Sequence, residues 1–170
     1  MSATEKLQDL YPKSDVSSLT TEETCKKNVF RGVFSGGKEF GSIICRESKK
    51  SEKSKGSKGA FLIKNEWGGD VTVLGTDKTG STVHPEGKPL RNISIHLQNI
   101  PSEACAHMVQ ILASEFGMVA VNAGPGVKPH KEQQIINTLD EDKLNDSVNK
   151  DNLTMECYRK NLVTVSVVSR

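Results

Sequence analysis

Asn65-Glu66-Trp67-Gly68-Gly69-Asp70-Val71-Thr72-Val73 is the stretch on which the reading of this chain turns. It sets the only tryptophan of 170 residues directly before a glycine pair and an alternating strand. Paired glycines beside β-branched alternation mark a tight turn that enters a half-buried strand. A tryptophan in that place is either a ring on which a ligand stacks or a plug where the edge of a sheet turns. The plug is favoured, because Val71 and Val73 share one face and point to one interior. Trp67, Gly68 and Gly69 are therefore expected to be structural.

Working outward, residues 60–64, 71–74, 92–97, 118–122 and 162–168 read as strands. Ile93, Ile95 and Leu97, like Val163, Val165 and Val167, show the period of two that a sheet requires. Residues 101–116 read as the main helix. Asn99 or Ser102 can cap it, Pro101 sits where proline is tolerated, and Gly117 can end it. Cys105, Met108, Leu112 and Phe116 share its apolar stripe, flanked by Val109 and Ile111. Residues 128–156 are polar, with Ile135, Ile136 and Leu139 suggesting one short docked helix. The fold class expected is α+β, an antiparallel sheet packed against helices.

Upstream the signals are weaker. Residues 5–10 read as the last turns of a helix closed by Tyr11-Pro12, so that 1–11 is the stub of something longer. Residues 13–28 are polar, with a helix-start signal at Thr20-Thr21-Glu22-Glu23. Residues 29–44 interleave glycines with Phe30, Val33, Phe34 and Phe40, which suits short strands and turns. Arg46 to Lys58 carries six basic and two acidic residues and no apolar one, and reads as a flexible basic loop.

Composition narrows the function classes. A chain of this length is most simply one domain spanning residues 1–170. Hydrophobic residues make up 35%, charged residues 26% and aromatic residues 5%, with a net charge of +2. That balance is too mild for a nucleic-acid or membrane-surface binder, and stacking platforms need more rings. The lysine tract is accounted for by solubility, so no specific nucleic-acid partner is expected. The four cysteines, Cys25, Cys45, Cys105 and Cys157, are even in number, with no C-x-x-C pair to suggest zinc or thioredoxin chemistry. Disulfides, and a compartment outside the cytosol, follow. Three pairings are possible; the one joining neighbours in sequence order, Cys25 with Cys45 and Cys105 with Cys157, is favoured. Met1-Ser2-Ala3-Thr4-Glu5-Lys6 is polar and no export signal is visible, so the expectation is that a leader has been removed.

Chemical machinery is not visible. His84, His96, His107 and His130 are scattered, and no pair has the spacing of a helical metal site. A cysteine committed to a disulfide has no thiolate to offer. Gly124-Pro125-Gly126 more often marks a turn than an anion nest. No phosphate-binding or nucleophile-elbow motif occurs. No catalytic, cofactor-binding or metal-binding residues are assigned, and no cofactor is expected.

These residues resemble a known family in their order. A helix stub ends at Leu10-Tyr11, and the Asn65 to Val73 element follows a polar connector. Then come the strand Ile93-Ser94-Ile95-His96-Leu97, the helix opening Ile100-Pro101-Ser102-Glu103-Ala104-Cys105, and Cys157 before the closing strand Val163-Thr164-Val165-Ser166-Val167. The pattern resembles the globular domain of type IVb pilins, including those of conjugative thin pili and toxin-coregulated pili. The resemblance implies a structural subunit of a surface filament, acting in adhesion, aggregation or mating-cell contact, with no enzymatic activity. It implies an extracellular location in the pilus, after an inner-membrane stage anchored by a long N-terminal helix that is mostly missing here. Its partners would be other pilin subunits through that helix, and a host-cell or recipient-cell surface. Cys105 and Cys157 would bound a variable exposed region. Cys25, Cys45 and the lysine loop have no counterpart in the common pattern. They leave open a minor pilin, a tip subunit or a divergent major pilin. The alternative function is a minor pilin or type II secretion pseudopilin, or another exported binding module that meets anionic surfaces through the basic loop.

Overall fold

The computed structural model describes residues 16, 19, 21–22, 43–47, 61–81, 89–124, 135–138 and 148–169. Strands β1 (Ile43–Glu47) and β2 (Phe61–Asn65) pair antiparallel. A second sheet contains β3 (Val71–Thr76), β4 (Asn92–Pro101), β5 (Met118–Val121), β6 (Ile135–Thr138) and β7 (Leu162–Val168). Its order is β3-β4-β7-β5-β6, and every pairing is antiparallel. Helix α1 (Ser102–Glu115) follows β4 directly, and helix α2 (Lys150–Cys157) precedes β7. The architecture is α+β, an antiparallel sheet with helices.

Alternation builds the core. Val71, Val73, Ile93, Ile95, Leu97, Val163, Val165 and Val167 occupy one face and form a single buried cluster with Cys105, Met108, Val109 and Leu112 of α1. Dry contact between branched side chains and a helix stripe is the main source of stability for such a layer pair. The strand β4 outruns the expected end at Leu97. Its register with β7 shifts between Leu97 and Ile100, so two intervening residues, Gln98 and Asn99, face one on β7. Such a bulge changes the phase of the pleat. Ile100 thereby returns to the core opposite Val163, and both Leu97 and Ile100 are fully buried. Asn99 takes the left-handed conformation there, at φ 59°.

Other expectations need correction. Neither Asn99 nor Ser102 caps α1: Pro101 precedes it, and no side chain bonds its first N–H groups. The Ser102 N–H donates instead to the Asn161 carbonyl at 3.0 Å. Gly117 does not close the helix with a left-handed turn. Phe116 is already extended, and the Gly117 N–H donates to Val168 O, so α1 runs straight into β5. Ile135 and Ile136 lie in the strand β6, not in a helix. Arg46 and Glu47, read as the start of the basic loop, belong to β1. The rest of that loop, the helix stub at 1–11 and Cys25 lie outside the described residues.

The polar connector also does more than link. Val16 and Leu19 are buried members of the core, and the Val16 N–H donates to Leu90 O at 2.7 Å. Thr21 reaches β3 at the open side of the sheet. Its hydroxyl accepts from the Val73 N–H at 3.0 Å and donates to the Val73 carbonyl at 3.4 Å.

Candidate functional site

Two local constructions stand out, a turn built on Asn65 and a clasp between α1 and α2. In the turn, buried Asn65 closes β2 and uses all of its polar atoms. Its Oδ1 accepts from the Trp67 and Gly69 N–H groups, each at 3.0 Å, and its Nδ2 donates to the Gln98 carbonyl at 2.6 Å. Its backbone bonds Gly68 and Gly69 as well. Gly68 takes φ +78°, a conformation that side chains resist. Gly69 has a different reason: a Cβ there would lie 1.9 Å from the Gln98 oxygen. Trp67 packs, partly buried, against the core. Lys64 and Asp70 pair across the mouth of the turn.

The clasp is the disulfide between Cys105 on α1 and Cys157 at the end of α2, with Cα atoms 5.6 Å apart and a sequence separation of 52. Both sulfurs are buried in the core. Beside them lies a group that sequence reading missed. Glu156 is fully buried. The Asn122 Nδ2 donates to its Oε2 and to its carbonyl, both at 2.9 Å. The Arg159 Nη2 donates to its Oε1 at 2.7 Å. Asn122, at φ 61°, carries this amide at the end of β5. The helix itself opens on Asn149, whose side chain accepts from the Asn152 N–H. Asn149 ahead of Leu153 and Cys157 at four-residue spacing was the available signal for α2. A charged residue on the buried side masked it.

Around this clasp three apolar side chains stand exposed among polar and charged ones. Met155, Tyr158 and Leu162 are the exposed large hydrophobic side chains among the described residues; Met155 lies on α2, Tyr158 just after it and Leu162 at the start of β7. They frame Arg159 and Lys160, so this corner offers an aromatic and aliphatic rim with cationic heads.

The opposite face of the main sheet is polar yet covered. His96 and Ser166 face each other across β4 and β7, both buried, and His96 Nδ1 shares a hydrogen bond with the Ser166 hydroxyl. Burial pushes the His96 pKa below its ordinary 6.5. Ser94 on the same face is buried, with no partner for its hydroxyl. A buried serine and a neutral imidazole out of reach of solvent act as sheet filling; nucleophilic work needs an accessible oxygen. Among the described residues no group of acidic, histidine or cysteine side chains could hold a metal ion. No helix among them is long and apolar enough to cross a membrane. His84 and His130 lie outside the described residues, and nothing is placed for the Cys45 side chain.

Comparison with known proteins fits this geometry. Residues 46–170 match a family model described as PilS N terminal. No curated protein matches the sequence. Among solved structures the chain is similar to TcpA, a type IV pilin from the Vibrio cholerae El Tor biotype. The TM-score is 0.50 at 12% identity, over 96% of this chain and 90% of that one. It is also similar to the type IV b pilin from Salmonella typhi, with a TM-score of 0.47 at 13% identity, over 86% of this chain and 77% of that one. With the family match running over most of its length, the chain belongs to the PilS N-terminal family, on a fold like that of a type IV pilin globular domain.

Proposed function

We propose that this chain serves as a structural subunit of a type IVb pilus, carrying its globular domain on the outside of the filament for adhesion, aggregation or mating-cell contact. The observation that carries the reading is the family match over residues 46–170 on an α+β fold in which α1 and α2 are clasped by a disulfide. Supporting it, the apolar and cationic rim at Met155, Tyr158, Arg159 and Leu162 sits on the clasped corner, where a displayed surface would meet a partner. The mechanism is packing and display, not catalysis. Other pilin subunits are the partners, joined through the long N-terminal helix of the family, and a host-cell or recipient-cell surface is the outer contact. The location is extracellular, in the pilus, after an inner-membrane stage of the precursor.

Immunogold electron microscopy of producing cells tests this, using antibody raised against residues 43–169. Gold along the length of surface filaments is the expected result. Gold confined to the cell interior, with filaments unlabelled, would overturn the reading.

A further inference from the structure

Four cysteines allow three pairings, and spacing alone does not dictate that Cys157 joins Cys105. The contacts around Cys157 supply a reason. Its neighbour Glu156 is a fully buried carboxylate, gripped by Asn122 Nδ2 from β5 and by Arg159 Nη2. The same Asn122 amide also holds the Glu156 carbonyl. The Asn122 N–H is in turn bonded to Thr164 O of β7. The Asn122 contacts tie the end of α2 to the sheet without using either sulfur. In the bonded pair the two cysteine Cα atoms lie 5.6 Å apart, within the span a disulfide bridges.

We propose that Glu156 is a positioning residue for oxidative folding: gripped by Asn122, it docks α2 and selects Cys105 as the partner of Cys157 over Cys25 and Cys45. The selectivity comes from the charge. Apolar contact is non-directional, so Leu153 alone would let α2 settle in several seats. A buried carboxylate needs compensation; Arg159, three residues on, accompanies Glu156 wherever α2 goes, whereas Asn122 is fixed to the sheet, so the seat where Asn122 also meets the carboxylate is favoured.

The covalent step needs an oxidant, here a low-molecular-weight disulfide such as oxidised glutathione. While α2 is undocked, the Cys157 thiolate attacks one glutathione sulfur, expels a glutathione thiolate and becomes a mixed disulfide. Docking brings this sulfur to Cys105. The Cys105 thiolate attacks it and expels the second glutathione thiolate. One glutathione disulfide is reduced for each protein disulfide formed, and the two thiol protons pass to solvent. Loading precedes docking because the docked sulfurs are buried away from any oxidant. The inference concerns folding and stands apart from the filament reading.

The test refolds the reduced, unfolded full chain in a glutathione buffer. Samples are quenched with acid at intervals and digested without reductant, and the linked peptides are mapped by mass. Glu156→Ala removes the carboxylate. Asn122→Gly removes the amide while tolerating the left-handed backbone. Val73→Ala, in β3 at the far side of the sheet, is the control for lost stability alone. In the native sequence and in Val73→Ala, Cys105–Cys157 should dominate the first single-disulfide species. In Glu156→Ala and in Asn122→Gly, its ratio to Cys157 linked with Cys25 or Cys45 should fall by about tenfold, the scale of losing hydrogen bonds to a charged group. The double variant should lose less than the two single losses combined, since the Asn122–carboxylate contact is shared by both. Early species report the pairing even where a variant cannot reach the native state. An unchanged ratio in both variants, or equal mispairing in Val73→Ala, would overturn the proposal.

Discussion

Gly68 and Gly69 stand side by side and are required for different reasons. A methyl at Gly68 meets nothing within 4 Å, so Gly68→Ala is charged only for its φ of +78°, about 1–2 kcal/mol. A methyl at Gly69 would collide with the Gln98 main chain, which must move. Gly69→Ala should therefore cost more than Gly68→Ala, on the order of 3 kcal/mol. Urea unfolding of the two variants checks the order; equal midpoints would contradict the geometry. His96 makes a second prediction at this scale. Its folded pKa lies below the ordinary 6.5 because burial disfavours the imidazolium. The unfolded state then binds the proton more readily, so the stabilising contribution is complete above about pH 6.5 and is lost as pH falls through the folded value. Stability measured from about pH 7 down to pH 5 should decline in the native protein. In His96→Gln this part of the decline should vanish; an unchanged pH profile would show that the ring does not carry it.

Among elements, the ones legible in the sequence were those whose apolar period was clean. The closing strand β7, Leu162–Val168, was readable to the residue because Val163, Val165 and Val167 alternate with smaller or polar side chains. The stripe Cys105, Met108, Leu112 gave α1 within a residue at each end. Where the pattern was ambiguous, tertiary contact decided. Ile135, Ile136 and Leu139 fit a helical face, yet pairing with β5 makes Ile135–Thr138 a strand. α2 was missed because one of its three buried residues is Glu156, which a hydrophobic template scores as surface. The Gln98-Asn99 bulge was equally invisible: only the sheet shows that Leu97 and Ile100, three apart, must both face inward. The connector read as polar hides Thr21, whose hydroxyl satisfies both main-chain groups of Val73 on β3, the terminal strand of the main sheet. Unmatched groups on such a strand cost stability and invite pairing with another chain. Thr21→Val keeps the shape and removes the hydroxyl. It should lower stability by about 1 kcal/mol and raise the fraction of dimer or larger species in light scattering. A monomer of native stability would assign Thr21 no such role.

In the whole molecule, the C-terminal strand β7 lies between β4 and β5, in the middle of the sheet. The sheet cannot close until the end of the chain arrives, and such long-range pairing carries an entropic cost. The Cys105–Cys157 bond offsets part of it by shortening the excursion between α1 and β7. Chain-entropy arguments assign about 4 kcal/mol to a loop of this size. Replacing both cysteines by serine should therefore shift the urea midpoint strongly downward. Loss of under about 1 kcal/mol would mean that the packing of α2 does not depend on the bond. The sequence pointed to this bond through its resemblance to pilins, and the Asn65 turn through its Trp-Gly-Gly signature. It did not disclose the buried Glu156 carboxylate beside Cys157, because polar burial leaves no periodic trace.

The clasped pilin domain as a filament subunit is tested most directly on filaments themselves. Filaments sheared from producing cells, digested without reductant and mapped by mass spectrometry, should yield a peptide pair linking Cys105 to Cys157. Filament preparations that lack this chain, or that carry it with both of those cysteines as free thiols, would contradict the account.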